Sequence, residues 1–400
     1  MEYNFDLKVE RRGTDSIKYG AYAEDVLPMW IADADFSAPA PVVEAIKARA
    51  AHGIFGYPLE EKIVEEAAAH WMRTRFNWPV KPDMAAFSPS VVTSLAMAVD
   101  IYTQPGDQVL FFTPTYPPFF RVARTAGRVA TGCGLIPSTY QIDFDDLEKK
   151  MSAQNARLFF LCNPQNPTGR VFTRAELLKI GELCLKHNVL MLSDEIHCDF
   201  AYTGRHIPFP ALAEELAHIS LTALSPSKTF NLAALHVSAV ISGNPGLLHR
   251  FKAAISKAAV HPSSFGLLGI KTAYTECADY ADQLAAYIRK NQEYAVGHIN
   301  RNIPGLKAYL PEGTYLLWID CAELCRELGA KQGLDRGSLK QERLVRFFLD
   351  EAKVGLNSGT DFGDEGLGFM RVNLACPLDT LKEGLRRIER AVKSLHPFQG

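Results

Sequence analysis

Ser225-Pro226-Ser227-Lys228-Thr229-Phe230 follows directly on the apolar run Ile219-Ser220-Leu221-Thr222-Ala223-Leu224. A short β run that closes in small hydroxyl residues and one lysine places an amine at the carboxyl end of a strand, where ligands bind in open α/β sheets. A lysine there can form a Schiff base with an aldehyde cofactor, of which pyridoxal 5′-phosphate (PLP) is the common one. By itself, S-x-S-K reads equally well as a solvated loop lysine. Two upstream stretches tilt the reading: Asn163-Pro164-Gln165-Asn166-Pro167-Thr168-Gly169, and Ser193-Asp194-Glu195-Ile196-His197 after the apolar run Val189-Leu190-Met191-Leu192.

Around these stretches the pattern alternates. Strands are expected at Gln108 to Thr113, Arg128 to Gly134, Leu158 to Cys162, Val189 to Ser193 and Ile219 to Leu224. Helices are expected from Pro41, at Ile63 to Phe76, Ser94 to Tyr102, Pro118 to Ala126 and Arg174 to His187. Such alternation argues for an α/β fold, a mostly parallel sheet with helices on both faces. Residues 1–36 read as an extended arm. A helical stretch from about residue 265 to Ile299 bridges to a second set of strands and helices beginning at Tyr309. Gly333-Leu334-Asp335-Arg336-Gly337 reads as a polar surface excursion.

The chain has 400 residues, more than one hydrophobic core usually serves, so two domains are expected. We divide it into 1–50, an N-terminal arm and part of the small domain, 51–285, a large cofactor-binding domain, and 286–400, a small C-terminal domain. A net charge of −2 gives no electrostatic reason to expect nucleic acid or an anionic membrane as partner. Neither an apolar signal core nor a run of transmembrane length is present. Eight cysteines are too sparse for a disulfide scaffold, and Cys321 and Cys325 have no second pair to complete a zinc site. A reduced, cytoplasmic protein without a metal is the expectation.

The motifs stand in the order and spacing of fold-type I PLP enzymes, and the chain resembles the class I/II aminotransferase superfamily over nearly its full length. The nearer likeness is to the cystathionine β-lyase (MalY/PatB-type) branch of C–S lyases. It is carried by Arg12-Gly13-Thr14-Asp15-Ser16, Leu27-Pro28-Met29-Trp30-Ile31-Ala32-Asp33-Ala34-Asp35-Phe36, Ser193 to His197, Ser227 to Asn231 and Arg371-Val372-Asn373-Leu374-Ala375-Cys376-Pro377.

The resemblance implies a set of roles. Lys228 would hold the cofactor and act as general base. Asp194 would pair with the pyridine nitrogen; two opposite charges about 4 Å apart at an effective dielectric of 20 attract by roughly 4 kcal/mol, enough to keep that weak base protonated. Read locally, Asp194 could instead cap a helix. Asn166 would donate to the phenolic oxygen, or simply form an Asn-Pro turn. Tyr116 would stack on the ring, or serve as a core tyrosine. The backbone amides of Val91 and Val92, at a helix start, would take the phosphate, with the Ser225 and Ser227 hydroxyls assisting and Tyr57 reaching in from a second subunit of a homodimer. Arg371 would clamp the substrate carboxylate in a bidentate pair, supported by Asn373; the plainer alternative is a surface ion pair.

Two positions depart from the transaminase pattern. His236 stands where arginine usually grips the phosphate, and His197 where tyrosine is frequent. Both push toward the lyase branch. The expected activity is β-elimination from L-cystathionine or another S-substituted L-cysteine. The rivals are an aminotransferase, which shares every step through Cα deprotonation, and a PLP-binding regulatory protein with residual lyase activity. The distal pocket, which selects the thiol, is expected from the arm around Trp30 to Phe36 and from residues of a partner chain.

Overall fold

In the computed structural model, which describes residues 1–59, 62–330 and 340–395, seven strands form the main sheet. Their spatial order is Ala85–Ser88, Ser238–Ile241, Ser220–Leu224, Leu190–Asp194, Ala156–Cys162, Gln108–Thr113 and Val129–Gly134. All neighbours run parallel except Ser238–Ile241, which is antiparallel to both of its partners. The central strands read as unbroken apolar runs because both faces are covered. Side chains alternate between two cores: Val109, Phe111, Leu158 and Phe160 face one, with Leu95, Val99 and Phe119. Leu110, Phe112, Phe159 and Leu161 face the other, with Leu177, Ile180 and Leu183.

Helix Arg174–His187 shows why the local reading succeeds. The Thr173 hydroxyl accepts from the Glu176 amide at 3.2 Å while the Glu176 carboxylate accepts from the Thr173 amide at 2.8 Å. This reciprocal cap contributes about 1 kcal/mol. Asn188, at φ 53°, ends the helix in the left-handed region. The expected strands recur within a residue or two. Missing from the expectation were the strands Ala85–Ser88 and Ser238–Ile241, four residues each and partly serine, and the helices Phe144–Met151 and Pro245–Lys257. The long helical stretch is two helices, Ser264–Glu276 and Ala278–Asn302, parted at Cys277. Within the expected arm lie a helical turn at Ile17–Gly20 and a short strand, Leu27–Pro28, paired with Val354–Gly355. Gly333 to Gly337 lies outside the described residues.

A second, antiparallel sheet runs in the order Asn357–Ser358, Phe369–Asn373, Leu316–Asp320, Lys307–Ala308. Helix Leu378–Ser394 packs Leu381, Leu385 and Ile388 against Leu317, Ile319, Met370 and Val372. Helix Ala278–Asn302 joins the two halves: Tyr280, Leu284 and Ile288 belong to a core shared with the main sheet, Ala295 and Ile299 to the core of the small one. We propose the boundary near residue 285 within that helix, with the arm before residue 50 attached to both halves.

Candidate active site

Three adjacent parallel strands end in Cys162, Asp194 and Leu224, and a cavity of about 680 Å3 opens beyond them. Every residue given a role from the sequence lines it except Tyr57 and Asn373. Tyr57 stands fully exposed on the bend after Gly53.

Lys228 sits on a turn braced from several sides. Phe230 N donates to Pro226 O, the Ser225 hydroxyl donates to Val237 O at 2.7 Å, and the Thr229 hydroxyl donates to Asp199, itself paired with Arg75. The Lys228 ammonium donates to Ala32 O at 2.7 Å. Desolvation and the Arg371 charge bring its pKa down to about 8, against the opposing pull of Asp33 and Asp194. Asp194, 3% exposed, closes a turn by accepting from Ile196 N at 3.1 Å. Burial lifts its pKa to about 7, although that hydrogen bond and Lys228 pull the other way. One carboxylate oxygen caps a turn and not a helix, since no helix starts at 195–199, and the residue also lines the cavity.

Arg371, 4% exposed, lies opposite. Its guanidinium donates to Asn166 Oδ1 at 2.9 Å, to Trp30 O at 3.0 Å and to Asn357 Oδ1 at 2.6 Å, and it lies 4.7 Å from the centre of the Phe362 ring. Its Nε has no partner. Burial brings its pKa down to about 10. Asn373 does not support Arg371 directly: its amide donates to Ile31 O at 2.7 Å and Asp33 O at 2.8 Å. Those contacts belong to a strap, Trp30 to Asp33, whose four successive carbonyls accept from Arg371, Asn373, Lys228 and Tyr315, and from Asn373 and Lys18. The strap is pinned behind by Arg11, which bonds Asp33 and Asp35, and by Lys18, which bonds Asp35.

At the other end, Ser90 caps helix Val91–Tyr102, accepting from Thr93 N at 3.1 Å, so the first-turn amides point outward with the helix dipole behind them. The Ser225 proton is committed to Val237 O, which leaves Ser227 as the freer hydroxyl. His236 is exposed at φ 50° on the cavity rim. His197 is buried, with Nδ1 unpartnered; burial drives its pKa well below the usual imidazole value and keeps it neutral. Tyr116 is half-buried on the wall, and burial raises its phenol.

The set suits a phosphorylated pyridine aldehyde. A buried acid without a full countercharge faces the cavity, and a protonated ring nitrogen would supply that charge. A lysine with a depressed pKa lies across from it, unpartnered polar atoms remain on His197 and Arg371, and free helix amides mark one end. Sequence reasoning missed Asn357, Tyr315 and Arg11 as parts of this site. Arg11 lies beside the quoted Arg12 to Ser16 stretch; the other two carry no local signal.

Residues 25–388 match the family described as aminotransferase class I and II, and the chain belongs to that family. It is 41% identical over 398 residues to cystathionine beta-lyase PatB of Bacillus subtilis, covering 97% of this chain and 100% of that one. Cystalysin from Treponema denticola, whose crystal structure contains pyridoxal 5′-phosphate, matches with a TM-score of 0.90 at 32% identity, over 99% of this chain and 100% of its own. The PLP-bound C-S lyase from Staphylococcus hominis matches with a TM-score of 0.88 at 29% identity, over 98% of each chain.

Proposed function

We propose that the chain is a PLP-dependent C–S β-lyase that converts L-cystathionine, or another S-substituted L-cysteine, and water into a thiol, pyruvate and ammonia. The observation that carries this is the convergence of Lys228, Asp194, Asn166 and Arg371 on one cavity in a chain so similar, end to end, to a cystathionine β-lyase.

Bound PLP supplies an aldehyde that captures the amino group and a ring that accepts the electron pair released at Cα. Lys228 is the residue that would hold that aldehyde before substrate arrives. Arg371 takes the carboxylate through its free N–H groups, and Asn166, anchored to Arg371, fixes carboxylate and cofactor in one frame. Burial and the Arg371 charge lower the pKa of Lys228, the direction a lysine needs to serve as a base. Its Nζ removes the Cα proton and returns one to the departing sulfur. Asp194 would keep the ring nitrogen protonated. Neutral His197 adds no competing charge beside it.

Tyr57 completes the phosphate site of a second copy in this reading, so the working unit is a homodimer in the cytoplasm. Exposed Ile54, Phe55 and Leu59 flank Tyr57 and supply an apolar strip for that contact. Incubation of the PLP-loaded protein with L-cystathionine tests the activity: pyruvate and thiol should appear without a keto-acid acceptor. Turnover that requires the acceptor and leaves the C–S bond intact would make the protein an aminotransferase. No turnover, with PLP bound, would favour a regulatory role.

A further inference from the structure

A second cavity, about 420 Å3, lies between the halves of the molecule and apart from the site above. The turn Pro137 to Tyr140 and the segment Thr168 to Arg170 form its large-half wall. The small half contributes Tyr309, Glu312, Trp318, Asp320 and Phe369. The indole of Trp318 stacks on Phe369, with centroids 5.1 Å apart and planes 6° apart. Its N–H donates to the Tyr140 hydroxyl across the divide at 2.9 Å. Tyr309 is 67% exposed at the mouth, a large aromatic with little to cover it.

The charges there are unbalanced. Arg170 is the cation on this wall, and it is shared between Glu176 at 3.0 Å and Glu312 at 3.3 Å. Asp320 forms no ion pair among the described residues, although Lys307 stands opposite it on the neighbouring strand. One of its oxygens accepts from Ala322 N at 2.9 Å, which leaves the other for the cavity. Its charge is felt at Tyr140, whose pKa burial and then Trp318 and Asp320 move, to about 12. Aromatic rings beside a carboxylate held in no ion pair suit an organic cation, since ring faces and carboxylate both attract positive charge. The volume lies in the small-molecule range.

We propose that this cavity is a binding site for a compact organic cation, an aliphatic primary or quaternary ammonium, held by Asp320 and the rings of Tyr309, Trp318 and Phe369. The site stands one ring from the catalytic cavity: Trp318 meets Phe362 edge-on at 5.5 Å, and Phe362 lies under the Arg371 guanidinium. It does not depend on which reaction that cavity performs.

Calorimetric titration of the PLP-loaded protein with choline, at constant ionic strength, tests the site. The neutral isostere of choline, with carbon in place of the quaternary nitrogen, is the comparison ligand. Choline should bind saturably, and the isostere at least tenfold more weakly. Asp320→Asn, which keeps an oxygen for the Ala322 amide, should weaken choline at least tenfold while pyruvate release stays at the parent level. Tyr309→Ala, at an exposed position, should weaken it severalfold. Absence of saturable choline binding, equal binding of the isostere, or unchanged affinity in both variants would overturn the proposal.

Discussion

Asp194→Asn separates the cost of this site from its use. In the cofactor-free protein the carboxyl is buried and its pKa stands at about 7, whereas an unfolded chain returns it to about 3.9. The folded state therefore binds more protons between those values, and the stability contributed by the neutral carboxyl is lost as pH rises through the folded pKa. At pH 5 the penalty relative to a neutral residue is about 1–2 kcal/mol; at pH 8 it is about 4 kcal/mol. Lys228 stays protonated, folded or unfolded, over most of this range and changes the balance little. Asparagine keeps the bond to Ile196 N and carries no charge. Its stabilising effect should grow by roughly 3 kcal/mol from pH 5 to pH 8, on the order of 3–6 °C in the thermal midpoint of a chain this size. Thermal melts of both cofactor-stripped proteins at the two pH values measure it. With PLP bound, the same substitution should slow pyruvate release at least a hundredfold. A stability advantage that is flat from pH 5 to pH 8 would mean that Asp194 is already ionised and well solvated, and the argument from burial would be wrong.

Lys228→Ala should abolish the visible absorbance of bound cofactor and nearly all pyruvate release while far-ultraviolet circular dichroism stays unchanged; substantial turnover would remove Lys228 from the mechanism. Arg371→Lys should lower kcat/KM by two to three orders of magnitude, about 3–4 kcal/mol, because an ammonium cannot serve Asn166, Asn357, Trp30 O and a carboxylate together. A loss below tenfold in steady-state kinetics would place the carboxylate elsewhere. Mixing Tyr57→Ala with Lys228→Ala chains should restore up to about a quarter of parent activity, since random pairing makes half the dimers mixed and each has one intact site. No recovery after verified exchange would deny a shared site.

The sequence showed most where chemistry and periodicity coincide. Ile63–Phe76 and Arg174–His187 begin and end where their apolar spacing places them, and Gln108–Thr113 is a buried run between polar ends. Asn166, Asp194 and Lys228 lie at or just beyond strand ends that the apolar runs already marked. Ala85–Ser88 and Ser238–Ile241 stayed hidden because short strands of alanine and serine carry little pattern; they pair with each other in the finished sheet. Asn357 reaches Arg371 only because Asn357–Ser358 pairs with Phe369–Asn373, a long-range fact that neither segment states alone. The contacts of Trp30 to Asp33 were invisible for another reason: main-chain oxygens make them, and every residue has one.

That last point bears on how such an enzyme can change. Because Lys228 and Arg371 lean on the peptide bonds of the strap and not on its side chains, replacing Ile31 or Ala32 leaves the hydrogen-bonding oxygens in place. Both side chains border the cavity. Selection can therefore re-tailor that border, and with it the thiol released, without disturbing the anchors of catalysis. New substrate preferences are accessible here by single, individually tolerated steps.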